Sequence, residues 1–151
     1  CEEKTEHASI YTHKLAGIYR YMIKSEDEEL VPLRDELVFV NMYIDLLKVR
    51  FPEGFDVSID VPEESLSRFV PPCSIQLLLE NTVSADDPLM IRITAKGETV
   101  SVCNNIRPKV TVSPSTGLGQ QYIRQLYMDI SGKAIDIDKT DSTYCVTLPL
   151  L

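Results

Sequence analysis

One segment, residues 70–82, limits what this chain can fold into, because two adjacent prolines are followed at once by an apolar helical pattern. Pro71 and Pro72 exclude a helix that continues from upstream, since proline fixes φ and lacks the N–H that a helix interior uses. Ser74 belongs to the residue types that cap helix N-termini, so we expect it to cap a new helix. The apolar residues recur at helical spacing, namely Ile75, Leu78, Leu79 and Val83. The segment therefore predicts a short buried helix with a fixed start.

The polar residues of the same segment are Gln76, Glu80 and Asn81. A polar pair near the end of an apolar helix is favourable only at a surface or opposite a ligand. The pattern alone leaves two interpretations open. One is a capped core helix with a solvated edge, and the other is a ligand-binding helix.

Two longer helices are predicted before this segment, at about residues 3–24 and 32–49, with a charged break at residues 25–29. The second helix carries a near-heptad apolar seam made of Leu33, Leu37, Val40, Ile44 and Leu47. Such a seam is typical of two helices packed side by side. It indicates either a helical hairpin lying on its own domain or a helical segment that forms a dimer.

Alternating patterns after residue 52 predict strands at about residues 55–61, 89–95, 99–103, 134–138 and 143–148. A further helix is predicted at 118–128, and loops at 85–88 and 104–116. Strand, helix, hairpin, loop, helix and hairpin in this order predict an α+β fold. We expect a two-layer sandwich of helices on a mixed, mostly antiparallel sheet, preceded by the helical hairpin.

Composition excludes several classes of protein. A net charge of −8 argues against nucleic-acid binding, which is dominated by phosphate neutralisation. The four cysteines include no Cys-x-x-Cys pair, so a zinc site is not expected. We interpret Cys73, Cys103 and Cys145 as small buried hydrophobic residues in a reducing compartment. No apolar run approaches the ~20 residues that span a bilayer, and the first residue is not Met, so we expect a piece of a longer protein.

The pattern Pro-Pro-x-x-x-Gln-x-Leu-x-Glu-Asn, residues 71–81, resembles the asparagine-box helix of LytS-type sensor histidine kinases, which belong to the GHKL ATPase superfamily. Arg20-Tyr21 resembles that family's Leu-Arg-Tyr segment. Residues 33–51 resemble its Leu-x-x-Glu-Leu…Tyr…Arg-Phe helix. The resemblance implies that Asn81 ligates Mg²⁺ on the ATP phosphates and that Glu80 is a catalytic residue that polarises the site.

Three further residues acquire roles through the resemblance. Gly117 and Gly119 resemble the glycine box at the hinge of the ATP lid, although Gln120 and Tyr122 stand where the family has Leu and Asn. An ordinary glycine turn is the alternative. Asn104 stands where the family has the Asp that binds adenine, and Asn-Asn after a strand is also a good turn former.

The resemblance implies that residues 1–51 are the end of the dimerisation region with its linker, and that residues 52–151 are an ATPase-like domain. The implied function is that of the cytoplasmic part of a two-component sensor histidine kinase of the inner membrane. It would transfer the γ-phosphoryl group of ATP to a His upstream of this chain, with Mg²⁺ as cofactor. The implied partners are ATP, a response regulator and a second copy in a homodimer.

Two alternatives stay open. A degenerate kinase-like module for signalling or protein interaction would keep the fold without binding ATP. It is favoured by the missing adenine-binding Asp and by the absence of Lys or His in residues 82–85, directly after the Glu-Asn pair. An unrelated α+β module for a small ligand would show no response to nucleotide. Whether the chain is an enzyme is therefore left open by the sequence.

Overall fold

A computed structural model describes residues 2–82, 89–106 and 117–151. Its α-helices are α1 (Glu2–Ser25), α2 (Leu33–Arg50), α3 (Ser74–Thr82) and α4 (Leu118–Ser131), with a 3-10 turn at Glu63–Ser65. Its strands are β1 (Val31–Pro32), β2 (Phe55–Asp60), β3 (Phe69–Val70), β4 (Leu89–Lys96), β5 (Thr99–Asn105), β6 (Asp136–Lys139) and β7 (Thr143–Pro149). The loop predicted at 85–88 and most of the one predicted at 104–116 lie outside the described residues. None of the helices that the structure describes has the length and apolar character needed to cross a membrane.

Five strands form the main sheet in the order β2-β4-β5-β7-β6. Strands β2 and β4 are parallel, and the other neighbours are antiparallel. Strands β1 and β3 form a separate antiparallel pair, which the sequence analysis did not predict because two-residue strands carry no periodicity. The predicted α+β class with a mixed, mostly antiparallel sheet is confirmed.

The core lies between one face of this sheet and helices α2, α3 and α4. Along β4, Ile91 and Ile93 are buried while Met90 and Arg92 are exposed, as the two-residue period of a half-buried strand requires. The other faces of the core come from the helices and the neighbouring strands, and include Leu37, Val40, Ile75, Leu79, Val102, Ile123, Tyr127, Val146 and Leu148. The apolar face predicted for α3 is therefore a core face.

The apolar seam of α2 packs into this same core through Leu33, Leu37, Val40 and Ile44. The opposite side of α2 meets α1. There the rings of Tyr21 and Phe39 stack with centroids 4.3 Å apart, and Lys14 Nζ lies 2.7 Å from Asp45 Oδ2. The packing is that of a helical hairpin lying on its own domain, whereas dimerisation and a domain boundary at residue 51 stay predictions.

Cys103 and Cys145 are not the free buried thiols that the sequence analysis predicted. Cys103 and Cys145 are register partners on β5 and β7, with Cα atoms 4.1 Å apart, and their sulfurs form a disulfide. Their separation of 42 residues hides this pairing from sequence inspection. Cys73 is a free cysteine, and burial raises the pKa of its thiol to about 11. The interpretation of Cys103 and Cys145 as unpaired was wrong because strand register, not spacing, brings them together.

Candidate functional site

Helix α3 begins immediately after a strained residue. Cys73 has φ +63°, a value that side-chain-bearing residues rarely adopt. Ser74 does not cap the helix as predicted, since it is the first helical residue and its buried Oγ has no hydrogen-bond partner among the described residues. The cap comes instead from α2, where Glu36 accepts hydrogen bonds from the backbone N–H groups of Cys73 at 3.0 Å and Ile75 at 3.2 Å. The start of α3 was thus predicted correctly, and the group that fixes it was not.

Glu80 lies near the other end of α3 and is exposed. The side-chain amide of Gln76 donates a hydrogen bond to Glu80 Oε2 at 3.1 Å, and Gln76 also bonds to the side chain of Tyr43 on α2. Burial raises the pKa of Tyr43, the hydrogen bond with Gln76 opposes this rise, and the nearby Glu80 carboxylate adds to it. The Glu80 carboxylate is therefore held by a short polar chain anchored on α2. Asn81 follows Glu80 within α3, but its side chain lies outside the described part of the structure.

Asn104 belongs to strand β5 and not to a turn, because it pairs in register with Tyr144 of β7. It lies on the same face of the sheet as the buried residues Val100 and Val102. Its Nδ2 donates to the carbonyl oxygen of Asn105 at 3.1 Å, whereas its buried Oδ1 has no hydrogen-bond partner among the described residues. A buried carbonyl oxygen without a donor is costly, so this atom is suited to accept a hydrogen bond from a ligand amino group.

Gly117 and Gly119 lie at the start of α4. Gly117 precedes the helix with φ +64° and ψ 2°, a left-handed conformation that glycine adopts without a steric penalty. Gly119 is the second residue of the helix itself. In the same first turn, Gln120 donates a hydrogen bond from its side chain to the hydroxyl of Tyr144. Since Tyr144 is also the register partner of Asn104, the structure places the glycine pair and Asn104 around one end of the β5–β7 ladder.

Helix α3, which carries Glu80 and Asn81, contacts both β5, which carries Asn104, and α4, whose first turn follows Gly117. Sequence reasoning missed the residues that hold these elements, above all Glu36, Gln76 and Tyr144. For Gln76 a signal existed, because Gln and Glu four residues apart on a helix are positioned to bond. Glu36 is the Glu of the Leu-x-x-Glu-Leu motif, but the motif does not name its partners, and Tyr144 carried no signal, since the partners of both residues are distant in sequence.

The described residues contain no group of three His, Cys, Asp or Glu side chains that could hold a metal ion. A magnesium ion held mainly by substrate phosphates and water needs only one or two protein oxygens. The carboxylate of Glu80 and the neighbouring Asn81 are of the oxygen-bearing types that fit such an ion. His7 and His13 are exposed on α1.

Comparison with known proteins gives a consistent result. The sequence profile of the family described as histidine kinase matches residues 1–55. A sensor protein LytS from Oceanobacillus iheyensis is 31% identical in an alignment of 107 residues that covers 66% of this chain and 18% of that protein. A LytS from Enterococcus faecalis is 36% identical over 70 residues, 46% of this chain and 12% of that protein. The chain thus spans less than a fifth of these relatives.

Among solved structures, the cytoplasmic segment of histidine kinase QseC has the same fold. It superposes with a TM-score of 0.60, covers 97% of this chain and 93% of that one, and is 17% identical in sequence. At this sequence identity the structural similarity shows the fold alone. The family assignment comes from the sequence matches to histidine kinases.

Proposed function

Because the chain belongs to the LytS-type sensor histidine kinases, with a GHKL-like fold, we propose that it is the ATP-binding part of such a kinase. In this proposal it lies on the cytoplasmic side of an inner-membrane sensor protein. The γ-phosphoryl group of ATP passes to a His in the upstream part of the protein, with a P–N bond formed, the bond to the β-phosphate oxygen broken and ADP released. The phosphoryl group then moves to a response regulator.

The observation that carries this proposal is the buried Oδ1 of Asn104, which has no hydrogen-bond partner in the part of the chain that the structure describes. In the proposed complex this oxygen accepts a hydrogen bond from the adenine amino group. The backbone around Gly117 and Gly119 approaches the phosphates, because N–H groups at a helix N-terminus attract anions. Glu80 and Asn81 provide oxygens for Mg²⁺, which when bound neutralises charge on the phosphates.

The surface of α1 is consistent with a homodimer in the longer protein. Several large apolar side chains on this helix are exposed, among them Ile10, Tyr11, Met22 and Ile23. Exposed apolar residues in such numbers on one helix are typical of an interaction surface. We therefore include dimerisation through α1 in the proposal.

The second candidate is a kinase-like signalling module of the same fold that does not bind ATP. It is supported by Asn104 in place of an acidic residue, since an uncharged acceptor makes a weaker hydrogen bond. Calorimetric titration with ATP and a non-hydrolysable analogue, with and without Mg²⁺, separates the two. Binding that requires Mg²⁺ supports the kinase, and a folded sample that shows no binding at millimolar nucleotide supports the second candidate.

Asn81→Ala should abolish the Mg²⁺-dependent part of nucleotide binding and leave the fold intact, because the proposed role of Asn81 is to ligate the metal. Binding is measured by the same titration and folding by circular dichroism. Asn41→Ala is the matched control, since Asn41 is an exposed asparagine on α2. An Asn81→Ala protein that unfolds while its residual binding stays unaltered would contradict the assigned role.

Asn104→Ala should weaken the binding of ATP and of ADP by about tenfold each, the effect of losing one net hydrogen bond of ~1.4 kcal/mol. Its Mg²⁺ dependence should stay as in the unmodified chain, because the adenine contact is independent of the metal. Titrations with both nucleotides, with and without Mg²⁺, check this. A loss confined to the Mg²⁺-dependent part would place Asn104 near the phosphates instead.

A further inference from the structure

The carboxylate of Glu36 is the most deeply buried charged group in the described part of the chain, with an exposed fraction of 0%. Burial raises its pKa, and the hydrogen bonds that it accepts oppose this rise. The donors come from two different elements. Backbone N–H groups at the start of α3 supply two of them, and the hydroxyl of Tyr21 on α1 supplies another at 2.7 Å from Oε2.

The bonds to α3 replace an ordinary cap. The first N–H groups of any helix have no partner within the helix, and an anion placed there also interacts favourably with the helix dipole. Ser74 does not supply this group, because its Oγ has no partner among the described residues. The start of α3 is therefore fixed by a side chain that is 37 residues away from Cys73 in sequence.

The bond from Tyr21 extends this arrangement to α1. Its ring stacks on Phe39, which is fully buried, so the position of the Tyr21 hydroxyl is set by packing as well as by the hydrogen bond. Tyr21, Glu36 and the first turn of α3 form one continuous polar contact across three helices. Glu80 and Asn81 lie in the same helix α3, so their positions depend on how its first turn is held.

We propose that Glu36 is a positioning residue for the nucleotide site. Its carboxylate, held by Tyr21 from α1, fixes the first turn of α3 and with it the end of the helix that carries Glu80 and Asn81. Asn81 lies six residues beyond Ile75, about 9 Å along the helix axis. A change at the first turn therefore tilts the end that carries the site. The inference deepens the proposed function and, as far as nucleotide is concerned, rests on it.

Tyr21→Phe tests the proposal with the smallest change, since it removes only the hydroxyl and keeps the stacked ring. Tyr19→Phe is the matched control, because Tyr19 is an exposed tyrosine on the same helix. We expect Tyr21→Phe to speed amide hydrogen exchange at Ile75 by about tenfold and to weaken Mg²⁺-dependent ATP binding by about tenfold. Binding of ADP without Mg²⁺ should not change, and Tyr19→Phe should change none of these quantities.

Glu36→Gln is the stronger variant. The Oε1 and Oε2 atoms of Glu36 each accept a hydrogen bond from a backbone N–H. In Gln the NH₂ group replaces one of these oxygens, so one backbone N–H faces a second donor and loses its acceptor. Exchange at Cys73 or Ile75 should then rise by about thirtyfold or more, with Glu28→Gln, at an exposed glutamate, as control. If Glu36→Gln does not fold, Tyr21→Phe still decides the question.

The outcomes separate the two proposals. Selective loss of the Mg²⁺-dependent binding in Tyr21→Phe supports the positioning role. Equal loss of both kinds of binding, or no change, overturns it, because a merely structural residue would not act on the metal-dependent part alone. If the unmodified chain binds no nucleotide, the proposed function fails, and amide exchange at Ile75 decides separately whether Tyr21 and Glu36 fix α3. Unchanged exchange would overturn that arrangement as well.

Discussion

Reducing the disulfide between Cys103 and Cys145 should lower the free energy of unfolding by about 4 kcal/mol. The two residues are 42 positions apart, and closing a loop of that length removes a corresponding amount of conformational entropy from the unfolded chain. Urea denaturation of the purified chain with and without a phosphine reductant measures the difference. Cellular thiols keep cysteines in the cytoplasm reduced, so the comparison also gives the stability of the chain in the cytoplasmic location proposed above.

The control for this prediction is the double variant Cys103→Ala/Cys145→Ala. Its unfolding should be insensitive to the reductant, and its stability should be close to that of the reduced, unmodified chain. Cys73→Ala should keep the full response, because Cys73 is a free cysteine. An unmodified chain whose midpoint does not move with reductant would show that the cross-strand bond is not formed in solution.

Tyr127→Ala should lower the free energy of unfolding by about 4 kcal/mol, the usual cost of removing a large aromatic side chain from a core. Tyr127 is the largest of the fully buried side chains in the described part of the chain, and it anchors α4 against the core. Chemical denaturation followed by circular dichroism measures the change. Tyr122→Ala is the control on the same helix, since Tyr122 is 61% exposed and its loss should change stability by no more than ~0.5 kcal/mol.

Tyr127→Phe distinguishes the ring from the hydroxyl. The hydroxyl oxygen is buried and has no hydrogen-bond partner among the described residues. Burial, and after it the negative charge of Glu36, raise the pKa of Tyr127, so the group stays protonated. Removing an unpaired buried hydroxyl removes a desolvation penalty, so stability should stay the same or rise by about 1 kcal/mol. A loss above ~1 kcal/mol would reveal a partner for this hydroxyl, such as a buried water molecule.

Local patterns predicted the elements of this fold because their causes are local. The helical spacing of Ile75, Leu78 and Leu79 reflects one face buried against a sheet, and the two prolines before it exclude a helix that continues from upstream. The alternation along β4 reflects one buried and one exposed face. Glu80, Asn81 and the glycine pair belong to short motifs that follow one another along the chain. The family resemblance could therefore be recognised from the sequence.

The sequence by itself therefore determined the α+β class, the extents of the long helices and strands, and the candidate site residues. Tertiary structure alone decided which groups meet. Only the fold brings the Glu36 carboxylate to the first turn of α3, and only strand register sets Cys103 against Cys145. The physical reason is that periodicity and capping depend on neighbours within one or two turns. Hydrogen bonds, disulfides and packing between elements depend instead on contacts between segments that are distant along the chain.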